Sequence, residues 1–553
     1  NTFVGLDFKR PDNHNFFGKT KAVAVWKEAL SDQELADLTY PTPTDPTFAL
    51  DFDTIATDFT FARGSEATYV DAQGLIQSTN ELGPELVTNG NFSSDTDWLK
   101  GPGWSISGGI ATLDVRYGGS SGLGSTAMSV TPGKTYKVVV NVISKSSGFR
   151  LYDNNGVIAY GLNVGENVFY RTVTSSSYQV TPLGLSGSTG SIDSVSVKEY
   201  ITATNTPRLD YSTGAEAFLL EPQSTNLITY SEDFGGYSNS NSTDEANATT
   251  SPEGLTNATS FLEAATTGQH KLITSVTFDG SSDYTFSIFA KSNGRDLYVD
   301  TQNSNKWGGR AWFNLTAGTA NAVLGTADIE DFGNGWYRCI VTGASTLAGG
   351  NFVELLTSDG AANSTTGDIT KGVYIWGAML EQQSYATSYI PTSGTTVTRN
   401  QETCINATPE INSEEGVLYA EISALANDGT NRIITISDGS YQNSARIQFY
   451  VNTNEVEMRM VVGGAIQALQ RVAIASVLDY NKIAFAYSVN DFALWINGSK
   501  LRFDTSGSVP IANTFNVLNF NGGDGVAPFY GNVKDVRVYN TRLSNAELIA
   551  LTS

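Results

Sequence analysis

A 24-residue stretch near the start of the chain recurs at its end, and no other feature restricts the possible fold as much. FFGKTKAVAVWKEALSDQELADLT (16–39) aligns without gaps to FYGNVKDVRVYNTRLSNAELIALT (529–552). Eleven positions are identical: Phe16, Gly18, Lys21, Val23, Val25, Leu30, Ser31, Glu34, Leu35, Leu38 and Thr39. Upstream, NTFVGLDF (1–8) matches NTFNVLNF (513–520) after a shift of one residue. Val536 and Val538, like Val23 and Val25, alternate with polar neighbours, the pattern of a strand with one buried face. Ser544 with Glu547, and Ser31 with Glu34, have the spacing of a capping box, which predicts a short helix after each strand. The last strands of a module cannot bury a core alone. The expectation is therefore that 1–40 is the C-terminal remnant of a module lying upstream of Asn1, and that 401–553 is a complete copy.

The rest of the chain reads as strand. Charged residues are only 16 %, while Gly, Ser, Thr and Asn abound, which suits short strands and many turns. Aromatics at 11 % argue against disorder. The predicted class is all-β: tandem β-sandwiches of jelly-roll or concanavalin A-like type joined by short linkers. The predicted divisions after 1–40 are framework strands and linker at 41–83, an inserted sandwich at 84–199, and a framework return at 200–224. A second sandwich follows at 225–400 and the terminal one at 401–553. GAIQALQRVAIASVLDY (464–480) favours helix by propensity, yet its all-strand surroundings predict strand. Asn497-Gly498 predicts a primed hairpin turn, and Asp71-Ala-Gln-Gly74 a turn between two short strands.

Charge and rare residues narrow the partners. Asp plus Glu number 56 against 33 Lys plus Arg, a net charge of −23 that repels nucleic acid and anionic membranes. No run of 18 apolar residues is present, so membrane insertion is not expected. Cys339 and Cys404 fall in different modules, so no disulfide framework is expected. The chain begins at Asn1 with neither initiator Met nor signal peptide, which reads as a processed or partial sequence.

The closing segment Gly531–Tyr539 with Leu543-Ser544-x-x-Glu547-Leu548, and the Ala493–Gly498 hairpin before it, resemble laminin-G-like, concanavalin A-like domains. FARGSEATYVDAQGLI, NTPRLDYSTGAEAFLLEPQSTNLITYSEDF, GNGWYRC and GAMLEQQSYATSYIPTSGTTVTRN, in that order, resemble a recurrent framework of phage tail proteins. In that family the first two pieces lie close together, which marks 84–199 as an insertion between them. The resemblance implies a non-enzymatic structural and adhesive part of a virion appendage, such as a tail fibre or host-recognition protein. Its partners would be host cell-surface glycans and other appendage proteins, and family analogy implies a homo-oligomer, a trimer. Alternatives are a polysaccharide depolymerase tailspike, and a head fibre or capsid decoration with a purely structural role.

The residues offer little catalytic material. Only His14 and His270 occur, which excludes multi-histidine metal centres. Gly118-Gly-Ser120-Ser-Gly122 fits a nucleophile elbow only formally, lacking the strand-turn-helix context. Glu455-Val-Glu457 puts two carboxylates on one strand face but departs from the concanavalin A-like glucanase pattern. No catalytic residue is assigned. Acidic loops make calcium the one expected cofactor, with Asp359, Asp368 and Asp524 as candidate ligands. For glycans, the expectation is exposed aromatic platforms at Trp98, Trp104, Trp307 and Trp312, which sit in Gly/Asn-rich or polar surroundings. Trp336, Trp376 and Trp495 lie inside alternating strands and are expected in cores.

Overall fold

A computed structural model describes residues 45–114, 119–146, 148–450 and 454–553. The first copy of the repeat lies outside the described residues, so the remnant expected at 1–40 is not addressed by them. Strand accounts for 54 % and helix for 3 %, in antiparallel sheets that pair into three sandwiches. Each sandwich closes over its own apolar core.

The inserted sandwich packs a six-stranded sheet, centred on Thr135–Lys145 and Thr189–Ile201, against a five-stranded one. Thr135–Lys145 buries Tyr136, Val138, Val140 and Val142 on one face, the alternation that predicted it. Its first strand, Glu81–Glu85, pairs with its last, with Leu82 opposite Tyr200 and Glu85 opposite Lys198. The two ends of the insertion are thus side by side. The next sandwich joins two six-stranded sheets built around Asp283–Asn293 and Lys271–Phe278.

The terminal sandwich is larger than 401–553. Its eight-stranded sheet includes Phe48–Ala49, Arg208–Asp210 and Ala217–Leu220 beside Gly531–Tyr539. Thr60–Ala62 pairs with Thr403–Ile405, and Ile55, Phe59, Phe61, Phe218 and Leu220 enter the same core. Parts of the framework on both sides of the insertion, within 48–62 and 208–220, therefore belong to the last sandwich, while Thr68–Val70 and Ile76–Ser78 form a separate hairpin. Hydrophobic alternation shows that a strand has a buried face but not which distant sheet it completes, so the division at 400/401 separates residues that share one core.

A buried ionic hub locks this arrangement. Arg208 donates from Nε and Nη2 to the two oxygens of Glu402 at 2.9 and 2.6 Å, and from Nη2 to Glu221 at 2.8 Å. Arg63 Nη1 donates to Glu402 at 2.9 Å, and Arg399 Nη1 lies 2.9 Å from Glu221. All five side chains are buried. Burial alone would raise the Glu221 pKa, but Arg399 and Arg208 outweigh it and hold the carboxyl at about 2.

The repeat's second copy has the predicted form. Gly531–Tyr539 is a strand with Val536 and Val538 buried, and Asn545–Thr552 is a helix. Both halves of the Ser544–Glu547 capping box are made. The helix seals Tyr419, Ala484 and Trp495 on the outer side of the eight-stranded sheet.

Candidate functional site

Three of the four tryptophans expected as platforms are core residues instead. Trp98 is 7 % exposed, packs on Phe92 and donates its indole N–H to Asn89 O at 3.0 Å. Trp104 is equally buried, against Phe149, with its N–H on Ser121 O at 3.2 Å. Trp307 is fully buried, stacked on Phe278 and bonded to Tyr284 O. The Gly- and Asn-rich sequence around them forms tight turns that direct the indoles inward, where a carbonyl satisfies each N–H. Trp312 is half-buried on Arg310–Asn314, between inward Ala311 and Phe313, so its ring lies on the outer face opposite Tyr298 and Asn321. Trp336, Trp376 and Trp495 are buried as expected.

The candidate calcium ligands are not brought together. The Asp359 side chain is 80 % exposed, 4.0 Å from Arg295. Asp368 accepts from the backbone N–H and hydroxyl of Thr370, bonds that lower its pKa. Asp524, in the other sandwich, caps its own turn by accepting from Val526 N. Among the described residues no three His, Cys, Asp or Glu side chains cluster as a metal would require. His270 is buried with Nδ1 2.5 Å from Asn241 O. Gly118 of the formal elbow lies outside the described residues.

The chemically unusual surface is the outer face of the five-stranded sheet in the last sandwich. Ile434, Ile436, Ala445, Ile447, Phe449, Val456, Met458 and Met460 point into the core. Alternation therefore sends Thr435, Arg446, Gln448, Glu457 and Arg459 to the other side. Register arranges them in rows: Thr435 opposite Arg446 opposite Arg459, and beside it Gln448 opposite Glu457 opposite Arg471.

This layer is polar yet enclosed. Glu457 is fully buried, with Arg471 Nε donating to Oε2 at 2.6 Å. Arg459 Nη2 lies 2.6 Å from Oε1, at ion-pair distance without hydrogen-bond alignment. Both oxygens of Glu457, one of the Glu455–Glu457 pair weighed in the sequence without a catalytic assignment, thus lie against arginines, although Oε1 makes no aligned hydrogen bond. Thr435 Oγ1, Arg459 Nε, and Arg446 Nε and Nη2 have no hydrogen-bond partner among the described residues. Burial, then repulsion from Arg459, lowers the Arg446 pKa. Tyr441, half-buried on the loop before Ser444–Tyr450, sets its ring 4.5 Å from the Arg446 guanidinium carbon, and Tyr450 stacks 3.9 Å from that of Arg471. The orphaned donors thus lie inside the layer, out of contact with solvent, beside two aromatic rings. Sequence reading missed this layer because the charges are spread over three strands, and only register assembles them.

No protein-family model matches the chain, and no curated protein does. Among solved structures, domains LG4-5 of the mouse laminin alpha1 chain match at 13 % identity and a TM-score of 0.19, covering 51 % of this chain and 87 % of that one. An anti-sigma factor domain-containing protein matches at 10 % identity and a TM-score of 0.14, covering 60 % of this chain and 98 % of that one. The β-sandwich assignment rests on the chain's own strand order and cores.

Proposed function

We propose that the chain is an adhesive, non-enzymatic component of a phage virion appendage, a tail fibre or host-recognition protein, that binds host-surface glycans. The single observation that supports the adhesive part is the outer face of the five-stranded sheet, where buried donors on Thr435, Arg446 and Arg459 lack acceptors beside the Tyr441 and Tyr450 rings. Sugars offer hydroxyl acceptors and apolar C–H faces, which match donors and aromatic rings in proximity. The phage setting rests on the ordered framework pieces in the sequence. The sandwiches act as rigid bodies that display the face, and a homo-oligomer of such chains would multiply weak contacts into avidity. Glycan-array binding by the full chain tests this reading. Retention of one class of bacterial surface glycan is expected, and silence across the array would sink it.

A further inference from the structure

We propose that the ligand of this outer face is a carboxylated saccharide, gripped through its carboxylate by Nε and Nη2 of Arg446. The inference rests on the glycan-binding reading and specifies the chemistry that reading leaves open.

Nε and Nη2 form one edge of the guanidinium, and a carboxylate meets that edge with two parallel hydrogen bonds. The chain fills this same edge elsewhere. Arg208 meets Glu402 at 2.9 and 2.6 Å. Arg295 meets Glu263 at 2.8 and 3.1 Å. Arg171 meets Asp153 at 2.9 and 3.4 Å. Among the described residues, Arg446 is the only buried arginine with both atoms orphaned, although it is just 3 % exposed. Leaving a buried cation without an acceptor is costly, and proteins pair such groups unless something else completes them.

The neighbours offset this only in part, through the Tyr441 side chain and the charge of Glu457, and neither supplies an acceptor to Nε or Nη2. Glu457 is engaged by Arg459 and Arg471, so the row Thr435–Arg446–Arg459 carries two cations and no carboxylate. An incoming carboxylate on Arg446 would leave Thr435 Oγ1 on one side and Arg459 Nε on the other for the hydroxyls of the same or an adjoining sugar. The row spans two strand spacings, about 10 Å, a length a disaccharide covers. Tyr441 lies over the guanidinium, and in the bound state its ring would turn aside and offer a face to a sugar.

The net charge of −23 repels dense polyanions at long range. A single chelating fork suits a saccharide with isolated carboxylates. An acidic peptide would look for an open sheet edge or apolar side-chain pockets, which this row of polar side chains does not offer.

The test is calorimetry on the full chain with three probes: an oligosaccharide carrying one glucuronic acid among neutral sugars, the same oligosaccharide with that carboxyl reduced to an alcohol, and an oligoglutamate peptide. The acidic saccharide should bind, with affinity at least about tenfold above its reduced form. Arg446→Lys keeps the charge but loses the fork, and should weaken binding by about tenfold or more. Arg446→Met should abolish binding, with a melting temperature equal to or above that of the parent, because it removes a buried cation whose Nε and Nη2 have no acceptor in the fold. Equal binding of the acidic and reduced saccharides would overturn the proposal and leave the glycan-binding reading standing. Binding of neither saccharide would overturn the proposal, and only silence across the glycan array as well would overturn the glycan-binding reading. Binding of oligoglutamate alone would overturn the proposal in favour of an acidic peptide. A lowered melting temperature in Arg446→Met would show that the arginine serves the fold, and would overturn it as well.

Discussion

Arg63 and Arg208 share one carboxylate, that of Glu402, while Arg208 and Arg399 share the carboxylate of Glu221. Three guanidinium groups therefore depend on two acids, all out of contact with water. Glu402→Gln leaves this cluster short of half its negative charge and should destabilise the terminal sandwich by about 3–5 kcal/mol, read as a lower denaturant midpoint for its transition. Acid should act on the same cluster through Glu221. Its pKa is held at about 2, below the ordinary 4.5, so its contribution is complete above about pH 4.5 and is lost as the pH falls toward 2. Unfolding followed through that window should show the loss, and Glu221→Gln should remove it. None of this was legible in the sequence, where the five residues are spread from 63 to 402. By contrast, the repeat identities report residue-level roles directly in the copy the structure describes. Phe529, Val536, Val538, Leu543, Leu548, Leu551 and Thr552 are buried, Ser544 and Glu547 cap the helix, and Lys534 sits 3.7 Å over the Tyr480 ring. Gly531 is required by close approach, because a Cβ there would meet Ser423 O at 2.1 Å.

At the scale of elements, local chemistry was readable wherever it is self-contained. The capping box needs only four consecutive residues, and it forms as read. Ser544→Ala should cost about 1 kcal/mol and loosen the helix that covers Trp495, detectable as an increase in tryptophan quenching before global unfolding. Asn497 and Gly498 both take positive φ, at 46° and 78°, and join Asp491–Ile496 to Ser499–Asp504 as a primed turn should. Ala465–Ala473 is a strand despite its helical propensity, since pairing with Glu455–Val462 buries Ala468 and Val472. Elements whose meaning depends on a distant partner were opaque. Trp98, Trp104 and Trp307 looked like platforms because turn-rich sequence is usually surface, yet here the turns aim large rings at a core. Outward Arg446 and Arg459 gain significance only from the register that sets them side by side.

In the whole molecule, the inserted sandwich meets its neighbour through a cluster of ionisable groups. Asn247 of the 225–400 sandwich donates to Glu166 O at 3.2 Å, and Glu232, itself bonded by Tyr389, faces Glu253 near Lys137 of the insertion. Burial first, then the charge of Glu232, raises the Glu253 pKa to about 8, while Lys137 opposes the shift. A carboxyl with a raised pKa costs the folded state nothing below its ordinary 4.5, and the cost grows until the pH passes about 8. The junction should therefore hold more tightly at pH 5 than at pH 8. Protection factors across Glu166 and Asn247, corrected for the intrinsic pH dependence of amide exchange, should rise on acidification, and Glu253→Gln should flatten that response.

The terminal sheet also sets a timetable for synthesis. Thr47 bonds to Val538 across 491 residues of chain, so the earliest described strand must wait until all of those residues are made before its partner exists. At ordinary translation speeds that wait is on the order of tens of seconds, during which Phe48, Phe59 and Phe61 have no finished sheet to join. Both other sandwiches, whose strands pair within their own segments, are free to form in that interval. The nascent chain must therefore keep its first strands unclaimed while two foreign sets of strand edges assemble beside them.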